Sequence, residues 1–409
     1  MASWFHPQSR SFTLLVGALS VILIAFIIIH PDEVFQSSLA GLKLWWDFVF
    51  PGLFPFLMLS EILLGLGVIH ALGAFLEPWM RLVFRLPGAA GWAFTLGMAG
   101  GFPAGSSVTG KLVKQRQLKP AEAQRLWSVS HLCSPMLMIA VIGVGFLSSV
   151  ERGFFIAVIH YAAAVATALV LLAFAPRSSL QKPNPTRQLS NAVYPSLWAS
   201  AANTLTTARR EDGRTFGKLL GDSVTTTAQT LLSLGGFIML FSVIHQIVKI
   251  IIEPWLTSEL LQVLLAGLLE PHLGVYAAAH YTSSALFQTA LIGAILGWSG
   301  LSLHAQARSL TSPAGLRYPP FMLARLLHAG WAVVLTIALW KPAMLLLGAD
   351  SLDAASVSSM APVGWSALWL PSSASIWPWM GKFYLTALGL LLLASLLILC
   401  TRKLRRRQL

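Results

Sequence analysis

Apolar runs of about twenty residues recur from one end of this chain to the other, and they limit its folds more than any other feature. A helix crossing the roughly 30 Å hydrocarbon core needs about 20 residues. Segments 12–30, 53–69, 127–147, 154–175, 231–252, 285–300, 321–347 and 383–400 come close to that length or exceed it. The expectation is an all-α integral membrane protein with about eight transmembrane helices and no soluble catalytic domain. Composition agrees, since 56% of the 409 residues are hydrophobic and 11% are charged, against about 25% charged in soluble domains. Segment 12–30 is followed by Ile29-His30-Pro31-Asp32, with no small-residue cleavage site, so it reads as a retained first span.

The net charge of +13 is a matter of topology and does not imply nucleic acid. Arg177, Lys182, Arg187, Arg209, Arg210, Arg214 and Lys218 outnumber Glu211 and Asp212 in 176–218, which makes that linker cytoplasmic. The same rule places the basic stretch Lys111 to Arg125 and the tail from Arg402 inside. Segment 348–379, with Asp350 and Asp353 and no Lys or Arg, falls outside, as does 30–47 with Asp32 and Glu33. Eight crossings then put both termini in the cytoplasm and the chain in the cell membrane.

Two segments do not read as simple spans. Segment 89–113 is interrupted by Gly100-Gly101-Phe102-Pro103-Ala104-Gly105-Ser106-Ser107, and 260–284 by Glu270-Pro271-His272. Both are expected to be re-entrant hairpins, the first entering from the cytoplasmic side and the second from outside. Irregular backbone at membrane depth is stable only where protein or a water-filled cavity satisfies it. Val68-Ile69-His70 before Glu77-Pro78-Trp79 is echoed by Val243-Ile244-His245 before Glu253-Pro254-Trp255. The spans bearing the two copies run in opposite directions, the pattern of inverted repeats in secondary transporters. The chain divides into an anchor (1–46), halves 47–175 and 219–347 joined by linker 176–218, an outer loop 348–379, and a last helix with its tail, 380–409.

Candidate site residues follow from the breaks. Gly101, Pro103, Gly105 and Ser106 can free backbone amides at a half-helix N-terminus, which suits anionic groups; close helix packing is the other reading. Glu61 lies inside an apolar span, where an ionisable group costs about 2.5–3.5 kcal/mol on insertion scales and is functional by default. Glu270 and His272 sit in the second break and could neutralise a cation, relay a proton or cap a helix. Ser134 belongs to a kink with His131 and Pro135. Ser302 and Gln306 alternate with apolar residues at a span's cytoplasmic end, lining an exit path or a solvated helix end. His70, His245, Glu77 and Glu253 read as interfacial.

Enzymatic readings find little support. Ser106 and His131 lack an acid to orient the imidazole, and Cys133 and Cys400 are too few for a metal cage or disulfide framework. No phosphate-binding loop is present, and no cofactor is expected.

Phe54-Pro55-Phe56, Ser60-Glu61, Glu77-Pro78, Gly101-Phe102-Pro103-Ala104-Gly105, Leu269-Glu270, and Gly300 to Gln306 with Arg325 downstream resemble the sporulation integral membrane protein YlbJ family. The resemblance covers about 46–338 and implies kinship with the nucleoside-recognition or Gate domain, shared with nucleoside transporters and the ferrous-iron transporter B permease. It makes 47–175 and 219–347 Gate-like halves. It further implies a membrane protein of late spore development, acting in cortex formation. The broken segments taken together with the resemblance point to a permease for a small polar solute. The alternative is a scaffold for cortex assembly, partnered by its own copies or other sporulation membrane proteins.

Overall fold

The computed structural model describes residues 10–174, 197–252, 258–281 and 283–347, and every regular element among them is helical. Helix α1 (Arg10–Ile29) precedes α2 (Pro31–Leu44), which continues through a π-wound turn, Trp45–Val49, into α3 (Phe50–Gly65). These form one helix of 35 residues. The expected outer loop over 30–47 is therefore helical. Its charges are those of a helix: Pro31 begins α2, Asp32 and Glu33 occupy the first turn, and Lys43 the last.

Short helices α4 (Val68–Phe75) and α5 (Glu77–Val83) lead to a hairpin of α6 (Ala90–Gly100) and α7 (Ala104–Lys114). Helix α8 (Pro120–Ser130) stops at 131–134, the chain resumes as a π-wound helix, Leu137–Phe146, and α9 (Val150–Ala173) follows. Within the expected linker, residues 197–212 are helical: α10 (Leu197–Asp212) packs along α4, and Gly67 of the α3–α4 turn lies against the Leu205 carbonyl. Helix α11 (Phe216–Ile252) begins well before the expected span and is 37 residues long. A second hairpin joins α12 (Glu259–Leu269) to α13 (Pro271–His280). Helices α14 (Ala285–Trp298) and α15 (Gly300–Thr311) are divided at Ser299, and α16 (Tyr318–Leu347) closes the described chain. A long helix, a short-helix hairpin, a divided helix and a long helix thus occur twice in the same order.

Among the described residues five helices are long and apolar enough to cross a membrane. The difference from eight has three sources. Segment 12–30 forms a shorter apolar helix, Thr13–Ile29. Segment 127–147 is divided at 131–134. Segment 383–400 lies outside the described residues, as does loop 348–379.

Helices α2 and α11 pack side by side. Gly41 lets the backbones approach, and Ser37 and Ser242 each donate to the other's carbonyl at 2.7 Å. Small residues with reciprocal hydroxyl bonds hold helices together where lipid supplies no hydrophobic force. On the other side, α16 packs against α9 and α14. Lys111 and Lys114 end α7, and Gly110 touches the Leu310 carbonyl at the end of α15. Gln124 of α8 exchanges hydrogen bonds of 2.9 and 2.7 Å with the Arg317 backbone. These contacts gather the ends of α7 and α15 and the starts of α8 and α16 on one side of the molecule.

Candidate functional site

The helix breaks meet in pairs. In the first hairpin Gly101 adopts φ +69°, a conformation few residues tolerate, and a Cβ there would lie 3.0 Å from Ser134 in the break after α8. Gly97 and Gly105, on opposite arms of that hairpin, both press on the Ser130 carbonyl, where added Cβ atoms would sit 2.1 and 1.9 Å from it. In the second half Ser299 and Gly300 take φ 72° and 67°, and a Cβ on Gly300 would meet Pro271 Cδ at 2.5 Å. Trp298 donates its indole N–H to the Leu268 carbonyl at 3.1 Å. Each hairpin break therefore rests on the break of the following helix.

One small cavity joins the two pairs. Phe102, Leu137, Pro271, His272, Val275 and Leu296 contribute to its wall, so both hairpins and both divided helices reach it. It offers about 10 Å³ to the centre of a water molecule, room for roughly one water. Its wall is apolar.

Satisfying broken backbone inside the protein takes specific side chains. Arg325, fully buried on α16, donates to the carbonyls of Ser128 and His131, the latter at 2.8 Å. A cation there completes the orphan acceptors at the C-terminus of α8 and meets the negative end of its dipole. His160 of α9 accepts the Cys133 N–H at 3.0 Å, and Tyr161 donates to the Cys133 carbonyl at 2.7 Å. Ser134 Oγ caps the restarted helix by accepting from Leu137 N at 3.3 Å. At the other divided helix, His304 Nε2 lies 2.8 Å from the Trp298 carbonyl. Arg152, on α9, reaches across to Thr289 and Gln288 of α14.

In the second hairpin, Glu270 Oε2 accepts from Leu273 N at 2.7 Å and caps α13. Its Oε1 pairs with His272 Nδ1 at 2.7 Å, and both side chains are at least 95% buried, at 1% and 5% exposure. Ser106 Oγ lies 3.2 Å from His131 Nδ1 and accepts from the Trp127 indole at 3.1 Å. Among the described residues no cluster of three or more His, Cys, Asp or Glu fits a metal ion.

Of the residues singled out from sequence, Gly101, Pro103, Gly105, Ser106, Ser134, Glu270 and His272 lie at or beside the breaks that meet here. Ser302 is buried in the first turn of α15, and its hydroxyl has no hydrogen-bond partner among the described residues. Gln306 lies a turn further on and is half-buried. Glu61 is placed elsewhere. It lies just before the last turn of α3, half-buried, in the fields of Lys111 and Arg214. Lys111 lies about 10 Å along α7 from its start at Ala104. Arg214, packed against Gly65 of α3, binds Asp212 at 2.6 Å and Asp222 at 3.2 Å. This bonding holds the Asp212 carboxyl below its ordinary value and raises the Arg214 guanidinium. Arg152, His160 and His328 are buried ionisable groups that reading from the breaks alone passed over. Their position within apolar segments was the available signal.

Comparison with known proteins bears on this arrangement. The chain is 35% identical, over 348 residues, to the sporulation integral membrane protein YlbJ of Bacillus subtilis (strain 168), an overlap covering 82% of this chain and 84% of that one. The chain belongs to the YlbJ family. As a YlbJ-family member with several long apolar helices it is a multi-pass membrane protein. No family model matches the sequence, and no solved structure matches the YlbJ-family fold described above.

Proposed function

We propose that this protein is a permease-like carrier of a small polar solute, working in sporulation as part of spore cortex formation. The observation that carries the reading is the meeting of both hairpin breaks and both divided helices at one small cavity. Helices of 11 residues, such as α6, α7, α8 and α12, extend about 16 Å, half the hydrocarbon thickness. Hairpins built from them are re-entrant, and their tips come to rest near the membrane midplane. The repeated order of elements, entered from opposite sides, is then an inverted repeat, with eight crossings once 12–30, the divided 127–147 and 383–400 are included. Broken helices at the interface of inverted repeats are where secondary transporters bind their solutes. The side bearing Lys111, Lys114 and Arg214 is cytoplasmic, as are both termini, and the kinship with Gate-type nucleoside permeases belongs to this reading.

The competing idea, a scaffold for cortex assembly, makes the breaks mere packing. Complementation in a sporulating host separates the two. A carrier loses function with Gly101→Val combined with Glu270→Gln and tolerates removal of 355–370 from the outer loop. Loss on loop removal, with the break variant fully active at equal membrane abundance, refutes the carrier.

A further inference from the structure

Within the second hairpin the structure assigns a proton-binding site. We propose that Glu270 and His272 form a pair whose loading with a proton governs opening of the cavity, which makes the proton the coupling ion; this rests on the carrier reading above.

Both carboxylate oxygens of Glu270 are committed, one to Leu273 N and one to His272 Nδ1, each at 2.7 Å. With Nδ1 carrying the hydrogen that faces the carboxylate, Nε2 is left as the acceptor, while apolar atoms of His272 form part of the cavity wall. Among the described residues, His272 is the only cationic group within ion-pair distance of Glu270. An anion buried to 1% exposure is costly without a counter-charge. When His272 is protonated the pair is neutral and tolerates the small, apolar-walled cavity. When the proton leaves, a net negative charge remains and favours entry of water. The proton passes from water on one side to Nε2 and later from Nε2 to water on the other, with no other bond made or broken.

The surroundings offer few competing groups. Helix α14 and the stretch 137–146 carry no ionisable side chain, and α12 carries only Glu259, at its far end. Helix α13 adds Tyr276 and His280 toward its other end. On α15, His304 is bonded to the Trp298 carbonyl and the Tyr318 hydroxyl, and Arg308 to the Leu316 carbonyl. Helix α11 contributes Lys218, Asp222, His245 and Lys249. Across the cavity stands Phe102, with His131 behind it at 4.7 Å between ring centres. The first hairpin break, Gly101-Phe102-Pro103, has no ionisable counterpart, so the pair belongs to one half alone.

The test uses the full chain in lipid nanodiscs with Cys133→Ser, Cys400→Ser and Val275→Cys, since Val275 lines the cavity. Labelling by a small charged thiol reagent is measured between about pH 5 and 8, the range in which imidazoles titrate, relative to a control cysteine at exposed Ser309. The relative rate should rise about threefold or more with pH, by a population shift toward the open form. Glu270→Gln keeps an acceptor for Leu273 N and should change the profile, because the pair loses its negative charge. His272→Gln should abolish the dependence. Labelling that ignores pH, or an identical profile in all three proteins, overturns the proton site while leaving the carrier reading intact. Protection at every pH overturns both.

Discussion

Replacing Arg325 by methionine tests whether the division of α8 is held by the partner it acquires from α16. The guanidinium is fully buried and donates to two backbone carbonyls at the end of α8. Hydrogen bonds from a charged donor contribute roughly 1.5–3 kcal/mol each, a gross loss of about 3–6 kcal/mol for the pair. Relief of the buried charge offsets part of this, leaving an expected net loss of about 2–4 kcal/mol. At roughly 2–4 °C per kcal/mol for chains of a few hundred residues, the midpoint of thermal unfolding in detergent should fall by roughly 4–16 °C. Arg325→Lys should fall in between, since an ammonium lacks the fork that reaches both carbonyls. Arg317→Met, at an exposed position whose contacts with Gln124 run through the backbone, is the control and should match the parent. An Arg325→Met protein as stable as that control would refute the capping role.

Further outcomes follow from the same geometry. Gly105→Ala places a methyl 1.9 Å from the Ser130 carbonyl, and overpacking of this kind costs about 1–3 kcal/mol or more; a thermal midpoint equal to the parent's would contradict the contact. Gly17→Ala, where nothing lies within 4 Å, should leave that midpoint unchanged. Asp212, bonded to Arg214, has its carboxyl held below 3.8. Its contribution is therefore present above about pH 4 and lost as pH falls through the lowered value. Asp212→Asn should remove stability at neutral pH and progressively less as the pH is lowered below about 4, measured by thermal unfolding across that range; a loss independent of pH refutes the pairing. Ser37→Val with Ser242→Val removes the reciprocal hydroxyl bonds between α2 and α11 and should lower the midpoint by several degrees, at about 0.6 kcal/mol for each such bond.

The sequence disclosed the membrane class and the places where helices break, because long apolar runs and Gly-Pro clusters are local signals. Gly101-Phe102-Pro103, Glu270-Pro271 and the His131–Ser134 interruption are the positions where the structure divides its helices. Other features needed three dimensions. Asp32 and Glu33 suggested a loop because acidic residues mark both outer loops and first helical turns, and only the packing of Gly41 and Ser37 on α11 decides for helix. Glu61 was singled out as an ionisable residue in an apolar run, yet its span ends within a turn, beside Arg214 of a distant segment. By the same rule Arg325, His160 and His328 lie in apolar runs. Their roles stayed hidden because each supports backbone from another part of the chain, with separations of 27 residues for His160 and Cys133 and 194 for Arg325 and His131.

The most direct test of the carrier reading is the accessibility of single cysteines placed at Ala104, Ser106, Leu269 and His272, with Cys133 and Cys400 changed to serine. A small membrane-impermeant thiol reagent is applied to sealed vesicles of either orientation. Labelling of positions in both hairpins is the predicted result, since both tips line one cavity that opens to water. Uniform protection from both sides, while a cysteine in the 348–379 loop reacts, would contradict it and leave the breaks as packing alone.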